Sequence, residues 1–455
     1  WTEDPGAMQV LQFVLSAASF GLIWFRSPIG RLHKLLLCLS FQLGYLFSVF
    51  SRCYSLGMLL VLMFLSDLPR TKDTAWRGWL VLALLANVHF YFFLTAFVLA
   101  MAWLRCRPER RELLHGSGLY FLGNTFQAFC LARIYYATGE ELSGFLLTLL
   151  WPISLQIVLM LAADLFDPRL SFAKIYRPLV GFAVVGTGVI GIVRASGVVL
   201  LSELSSVGAG FFTLCSPFSD SYWNFQTPLW LSLAVLPLAV LCVCACLRGF
   251  SEGQWLLLGQ SACMVLVFAL FHPAKLWHVG VLFLSFLGLV WIGLEATRIR
   301  MPGRLLTLLL LFQAVTGVQA MILSKLKPVS AIKQTADWIN KNTDHRHLLL
   351  GLELFPTSAV SNYVVGRDIY FPHRETTLKY SPWGEWFISN QPPRIVSELL
   401  NRHHDKAYLI ASMTRKELIQ ERFAPYSKQL RLTEVAAFDE ASAEKFVVFE
   451  VTLLR

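Results

Sequence analysis

The chain of 455 residues is 56% apolar and 14% aromatic but only 15% charged, with a mean hydropathy of +0.56, where a soluble domain carries about 25% charge. That excludes an ordinary cytosolic enzyme. The net charge of +10 divides into 21 Lys+Arg against 14 Asp+Glu over residues 1–324 and 18 against 15 over residues 325–455, so the excess lies between apolar runs and reports orientation rather than nucleic-acid binding. Apolar runs long enough to cross a hydrocarbon core of ~30 Å predict helices near 8–25, 35–50, 53–66, 78–88, 90–103, 116–135, 144–163, 178–193, 227–247, 254–271, 276–296 and 305–324. Several are short or paired, notably around Asn87-Val-His-Phe-Tyr91. The expected fold class is mainly α: a polytopic transmembrane bundle of about 10–12 helices over residues 1–324 and a small C-terminal soluble α/β domain over residues 325–455. Trp1-Thr-Glu-Asp-Pro-Gly6 is neither a natural start nor a signal peptide, so the first helix and outer loop are expected to lie upstream.

The loops alternate in basicity. Arg26/Arg31/Lys34, Arg70/Lys72/Arg77, Arg105/Arg107/Arg110/Arg111, Arg169/Lys174/Arg177, Arg248 and Arg298/Arg300/Arg304 hold 17 bases, against four (Arg52, Arg133, Arg194, Lys275) in the intervening loops. The positive-inside rule makes the first set cytoplasmic and puts the C-terminal domain on the other face. Within that domain the pattern predicts a helix over Ser330–Asn340, strands at His347–Leu352, Asp368–Phe371, Lys406–Ala411, Leu432–Val435 and Lys445–Val451, and helices at Ser358–Val365, Arg394–Arg402 and Thr414–Arg422. It carries no Gly-rich phosphate loop, nucleophile elbow or Cys/His metal spacing. All nine cysteines lie between Cys38 and Cys263, and Cys242, Cys244 and Cys246 read as packed or lipid-facing side chains rather than a metal site.

Charges near hydrocarbon are costly and therefore point to function. Arg52, in Ser51-Arg52-Cys53-Tyr54-Ser55-Leu56-Gly57, interrupts an apolar stretch at a predicted outer boundary, where a guanidinium can fork onto a phosphate and Tyr54 offers a hydroxyl or a stacking face. A snorkelling arginine that marks a helix end is the plainer reading. His272, Lys275 and His278, in Phe271-His-Pro-Ala-Lys-Leu-Trp-His-Val-Gly280, form a second cationic-aromatic turn suited to a phosphate or pyrophosphate, or equally to an interfacial anchor. The 194–226 loop offers Asp220 beside Trp223, and the tail offers Trp383-Gly-Glu-Trp386, as carbohydrate-stacking surfaces that could as well rest on a membrane or in a core.

The Ser-Arg-x-Tyr-x-Leu-Gly segment at 51–57, the Lys-x-x-His-x-Gly turn at 275–280 with Trp291 late in the next helix, the hairpin-like short helices and the final soluble domain together resemble the GT-C superfamily. These are integral-membrane glycosyltransferases that use polyprenyl-phosphate sugars, such as protein mannosyltransferases and aminoarabinose transferases. The resemblance implies a cell-envelope enzyme that moves a sugar from a polyprenyl-phosphate donor to a glycan, lipid or protein acceptor on the outer face, within the lipid bilayer and with no nucleic acid. It implies donor-phosphate contacts from Arg52, Tyr54, His272, Lys275 and His278, and sugar or acceptor stacking on Trp223, Trp383 and Trp386. The family's acidic motif follows its first helix, a region expected upstream of Trp1, which leaves Glu3, Asp4 and Asp220 as weak candidates for the catalytic carboxylate. No metal ligands are assigned, and a divalent cation remains an open cofactor. Two other classes stay in play: a transporter or flippase, for which Pro152, Pro178, Pro228 and Pro237 break helices without a twofold relation, and a non-catalytic accessory subunit.

Overall fold

A computed structural model of the chain describes residues 5–49, 53–68, 74–106, 117–120, 122–127, 206–208, 210–212, 229–270, 275–297, 303–372, 376–377, 406–441 and 444–454. The described residues are mostly helical, with a small sheet near the C-terminus. They fall into two compact units that part between Met321 and Ile322.

The first unit contains α1 (Pro5–Arg26) from Val10 onward, α2 (Arg31–Cys38), a π-helical segment (Phe41–Leu46) continued by α3 (Phe47–Val49), α4 (Cys53–Ser66), α5 (Ala75–Ala86), α6 (Phe90–Arg105), α7 (Leu229–Cys246), α8 (Ser251–Leu270), α9 (Leu276–Ile292) and α10 (Gly303–Leu326) as far as Met321. Three helical spans, Gly6–Arg26, Leu276–Glu295 and Gly303–Leu326, are long and apolar enough to cross a membrane. Their surroundings differ. The first leaves Phe13, Val14 and Phe25 exposed, whereas Leu276–Glu295 is almost wholly enclosed by its neighbours. In α7, Cys242 and Cys246 face the interior one helical turn apart and Cys244 faces out, all as free thiols.

The run expected as one helix over 35–50 is broken at Leu39-Ser40. Ser40 is extended (φ −65°, ψ 150°), and its Oγ donates to the Leu37 carbonyl (2.7 Å) while accepting from the Leu43 N–H (3.3 Å). A serine hydroxyl that satisfies backbone groups on both sides of a break makes the break cheap, and hydropathy alone cannot register it. The following segment winds as a π-helix, a form that concentrates at functional sites.

The C-terminal unit is a six-stranded sheet in the order β3-β2-β1-β4-β6-β5, built from β1 (Leu348–Gly351), β2 (Tyr370–Phe371), β3 (Thr376–Thr377), β4 (Lys406–Ser412), β5 (Leu430–Phe438) and β6 (Phe446–Leu453). β1 runs parallel to β2 and β4, and the remaining pairs are antiparallel. Strands β4 and β6 are buried on both faces, which explains their unbroken apolar character. One face (Leu349, Tyr408, Ile410, Phe446, Val448) carries α11 (Ile332–Asn342) through Ala336 and Ile339, and α12 (Leu354–Ser361) through Val360. The other (Leu350, Ala407, Leu409, Val447, Phe449) carries α13 (Lys416–Phe423) through Ile419 and Phe423. α12 starts four residues before the expected Ser358, with Pro356 in its first turn, where proline is tolerated. The two-residue β3 was not foreseen, and the helix expected at Arg394–Arg402 lies outside the described residues.

Candidate functional site

The starts of two helices of the first unit meet beside a third. α6 starts after His89 and α9 after Lys275, with His278 in its first turn, and Tyr54 of α4 lies against both. His89 is extended (φ −168°, ψ 155°); its Nδ1 accepts the Tyr91 N–H at 3.4 Å, and its carbonyl accepts the Phe92 and Phe93 N–H groups at 2.9 and 3.1 Å. Lys275 opens α9 in the same way: extended backbone, its carbonyl accepting from the His278 and Val279 N–H groups at 2.9 and 3.2 Å.

The side chains from these starts form one aromatic cluster. The His278 ring lies 4.5 Å from Tyr91, 6.0 Å from Phe268, 6.1 Å from His89 and 6.4 Å from Tyr54, centroid to centroid, with Trp277 edge-on at 5.6 Å. Tyr54 also meets His89 at 5.6 Å and stacks on Phe47 at 5.5 Å. Tyr54 (4% exposed) and His278 (6%) are buried, and His89 and Lys275 are half-buried.

Two glycines make this approach possible. A Cβ on Gly57 would overlap the Phe92 ring, and one on Gly280 would overlap Gln42 Oε1 and press on Phe47. Each lies within three residues of the cluster member on its own helix, so the glycines of Tyr54-x-x-Gly57 and His278-x-Gly280 are packing requirements of the site itself.

Polar contacts behind the rings fix the helices. Ser55 Oγ donates to Gln12 Oε1 (2.7 Å), whose Nε2 donates to the Phe47 carbonyl (2.7 Å); Thr95 and Ser285 share a hydrogen bond of 2.9 Å, and Gln260 Nε2 donates to Thr95 at 3.1 Å. Gln42 and Gln313 both donate to the Gly210 carbonyl, at 3.3 and 3.0 Å. Interhelical hydrogen bonds of this sort hold helices together where burial of apolar surface against apolar lipid cannot.

Of the residues singled out from sequence, Tyr54 and His278 stand together, with Lys275 at the start of the same helix as His278. Arg52, His272, Glu3, Asp4, Asp220, Trp223, Trp383 and Trp386 lie outside the described residues. Sequence reasoning missed His89 and Tyr91 as site residues. Their signal was the break at Asn87-Val-His-Phe-Tyr91 between two short apolar runs, which read only as a hairpin. Among the described residues no three His, Cys, Asp or Glu side chains stand close enough to hold a metal ion.

Chemically, the cluster offers imidazole groups, the half-buried Lys275 and the starts of α6 and α9, where the backbone dipoles place partial positive charge, all set among aromatic faces. That combination suits an oxyanion carried on an apolar or carbohydrate body. No protein family, curated protein or solved structure matches the chain.

Proposed function

We propose that the protein is a membrane glycosyltransferase that transfers a sugar from a polyprenyl-phosphate carrier, with the Tyr54–His89–Tyr91–His278 cluster receiving the departing phosphate. One observation carries the reading: the Tyr54 segment and the Lys275–Gly280 segment, more than 200 residues apart in sequence, share a buried cluster with a second histidine at the starts of α6 and α9. A polyprenyl-phosphate sugar already holds an activated leaving group, so the protein has to stabilise phosphate charge and orient an acceptor hydroxyl toward a carboxylate base. Imidazole and ammonium donors supply the first need. The base comes from Glu3, Asp4 or Asp220, and the C-terminal unit faces the acceptor on the non-cytoplasmic side.

The test is transfer itself. Full-length protein in liposomes, given a polyprenyl-phosphate hexose labelled in the sugar, should release polyprenyl phosphate and label an acceptor. Arg52→Ala should slow this about ten- to hundredfold, and Arg52→Lys should recover only part because an ammonium cannot make the forked contact. Movement of the intact lipid-linked sugar across the bilayer without cleavage would overturn the reading in favour of a flippase.

A further inference from the structure

One end of the helical unit is graded from charge to hydrocarbon in a way the transfer reading does not use. α1 ends at Arg26, the chain turns through Ser27-Pro28-Ile29-Gly30, and α2 begins at Arg31 with no side chain capping its first N–H groups and no acidic residue in its first turn. His33 Nε2 lies 2.8 Å from Thr307 Oγ1, which fixes α2 against the first turns of α10 and brings Arg304 to the same end of the bundle. Arg26, Arg31 and Arg304 are exposed, and among the described residues none of them forms an ion pair. Trp24, Phe25, Leu32 and Leu35 are exposed around them, the composition of a helical elbow that lies in the interfacial layer of a bilayer.

An apolar cleft of about 30 Å³ adjoins this rim, lined by Ile23, Leu43, Leu62, Leu284 and Leu287 among others, with room for about two or three methylene-sized groups. Ser27 also lines it. That serine is buried (7% exposed), and its Oγ has no hydrogen-bond partner among the described residues. A serine in a helical bundle ordinarily bonds back to a carbonyl of its own helix, as Ser19 does to Leu15 at 2.8 Å. Ser27 is instead a donor in want of an acceptor, set between the charged rim and the apolar cleft.

We infer that this elbow binds an anionic glycerophospholipid. Arg31 and Arg304 take the phosphate beside the uncapped start of α2, Ser27 Oγ donates to an ester carbonyl, and one acyl chain lodges a short length in the cleft. The order phosphate, ester, hydrocarbon belongs to one class of molecule; a free anion would leave both Ser27 and the cleft unused. Arg26, Arg31, Lys34 and Arg304 stand against Glu295, which accepts the Trp291 indole N–H at 3.1 Å, and Asp67, so this end is net positive and selects an anionic headgroup over a zwitterionic one. The site goes beyond the transfer reading and does not depend on it.

Native mass spectrometry of the full-length protein in detergent tests it with phosphatidylglycerol, phosphatidylcholine of the same acyl chains, and glycerol 3-phosphate. Phosphatidylglycerol should bind about tenfold more tightly than phosphatidylcholine. Glycerol 3-phosphate, which has the charge without the chains, should not displace it at equal concentration. Combining Arg31→Ala with Arg304→Ala should bring phosphatidylglycerol down to the phosphatidylcholine level and leave the latter unchanged. Leu287→Phe, which fills the cleft, should weaken both lipids severalfold and keep the ratio between them, and Ser27→Ala, which removes only the hydroxyl, should weaken both about two- to tenfold. Equal affinity for the two lipids, displacement by glycerol 3-phosphate, an undiminished preference in the double arginine variant, or undiminished binding in the folded Leu287→Phe or Ser27→Ala protein would each overturn the inference.

Discussion

In the helical unit the polar side chains drawn out of water are neutral and reach across helices: Gln12 to Ser55, Thr95 to Ser285, Gln313 to the Gly210 carbonyl. In the α/β unit they include partly exposed ion pairs, Lys406 with Glu450 at 2.6 Å and Lys416 with Glu434 at 2.7 Å, held across strands or from helix to strand. The cost of removing a group from water explains the difference. A neutral amide or hydroxyl costs a few kcal/mol to bury and one hydrogen bond largely offsets it, whereas an ion costs far more and stays where water still helps.

The two units should also fail differently. The largest loss is expected from Phe446→Ala, which empties a fully buried ring position at the start of β6; about 3–5 kcal/mol should go, and proteolysis should cut the C-terminal unit first. Next comes Gly280→Ala. Its Cβ meets Gln42 and Phe47, so overpacking should destabilise the helical unit by about 1–3 kcal/mol, read as a lowered Tm in detergent. A wild-type Tm would show that α9 does not depend on so close an approach. Thr95→Val, nearly isosteric, breaks the bond to Ser285 and strands the Gln260 donor, and should cost about 0.6–2 kcal/mol.

The smallest effect is one of pH. Because burial holds the Glu353 carboxyl above its ordinary range, the native state binds the extra proton, and stability declines as pH rises from the ordinary glutamate range through the raised value. Chemical denaturation of the C-terminal unit across that window should show the decline, and Glu353→Gln should flatten it. Equal slopes in the two proteins would remove Glu353 as the cause.

Much of the scaffold was legible in the amino-acid sequence because period and hydropathy are local. β4 and β6 follow from their β-branched and aromatic runs, and α6 and α9 from unbroken apolar stretches. The break at Ser40 was hidden because one hydroxyl, not a proline or glycine, makes it. α12 begins four residues ahead of its expected start and carries Pro356 in its first turn. The site was half legible: Tyr54 and His278 stood out as polar groups at apolar boundaries, but His89 has its partners 35 residues before it and 189 after it, and only the fold joins them.

The central claim, that His89 and His278 together receive the leaving phosphate, is tested most directly by single-turnover transfer in the reconstituted full-length protein carrying His89→Ala, His278→Ala or both. The account predicts that each single change slows transfer about ten- to hundredfold with Tm held near wild type, and that the double change costs less than the product of the two because both rings serve one phosphate. Wild-type turnover in a folded His278→Ala protein, or strictly multiplicative losses, would contradict it.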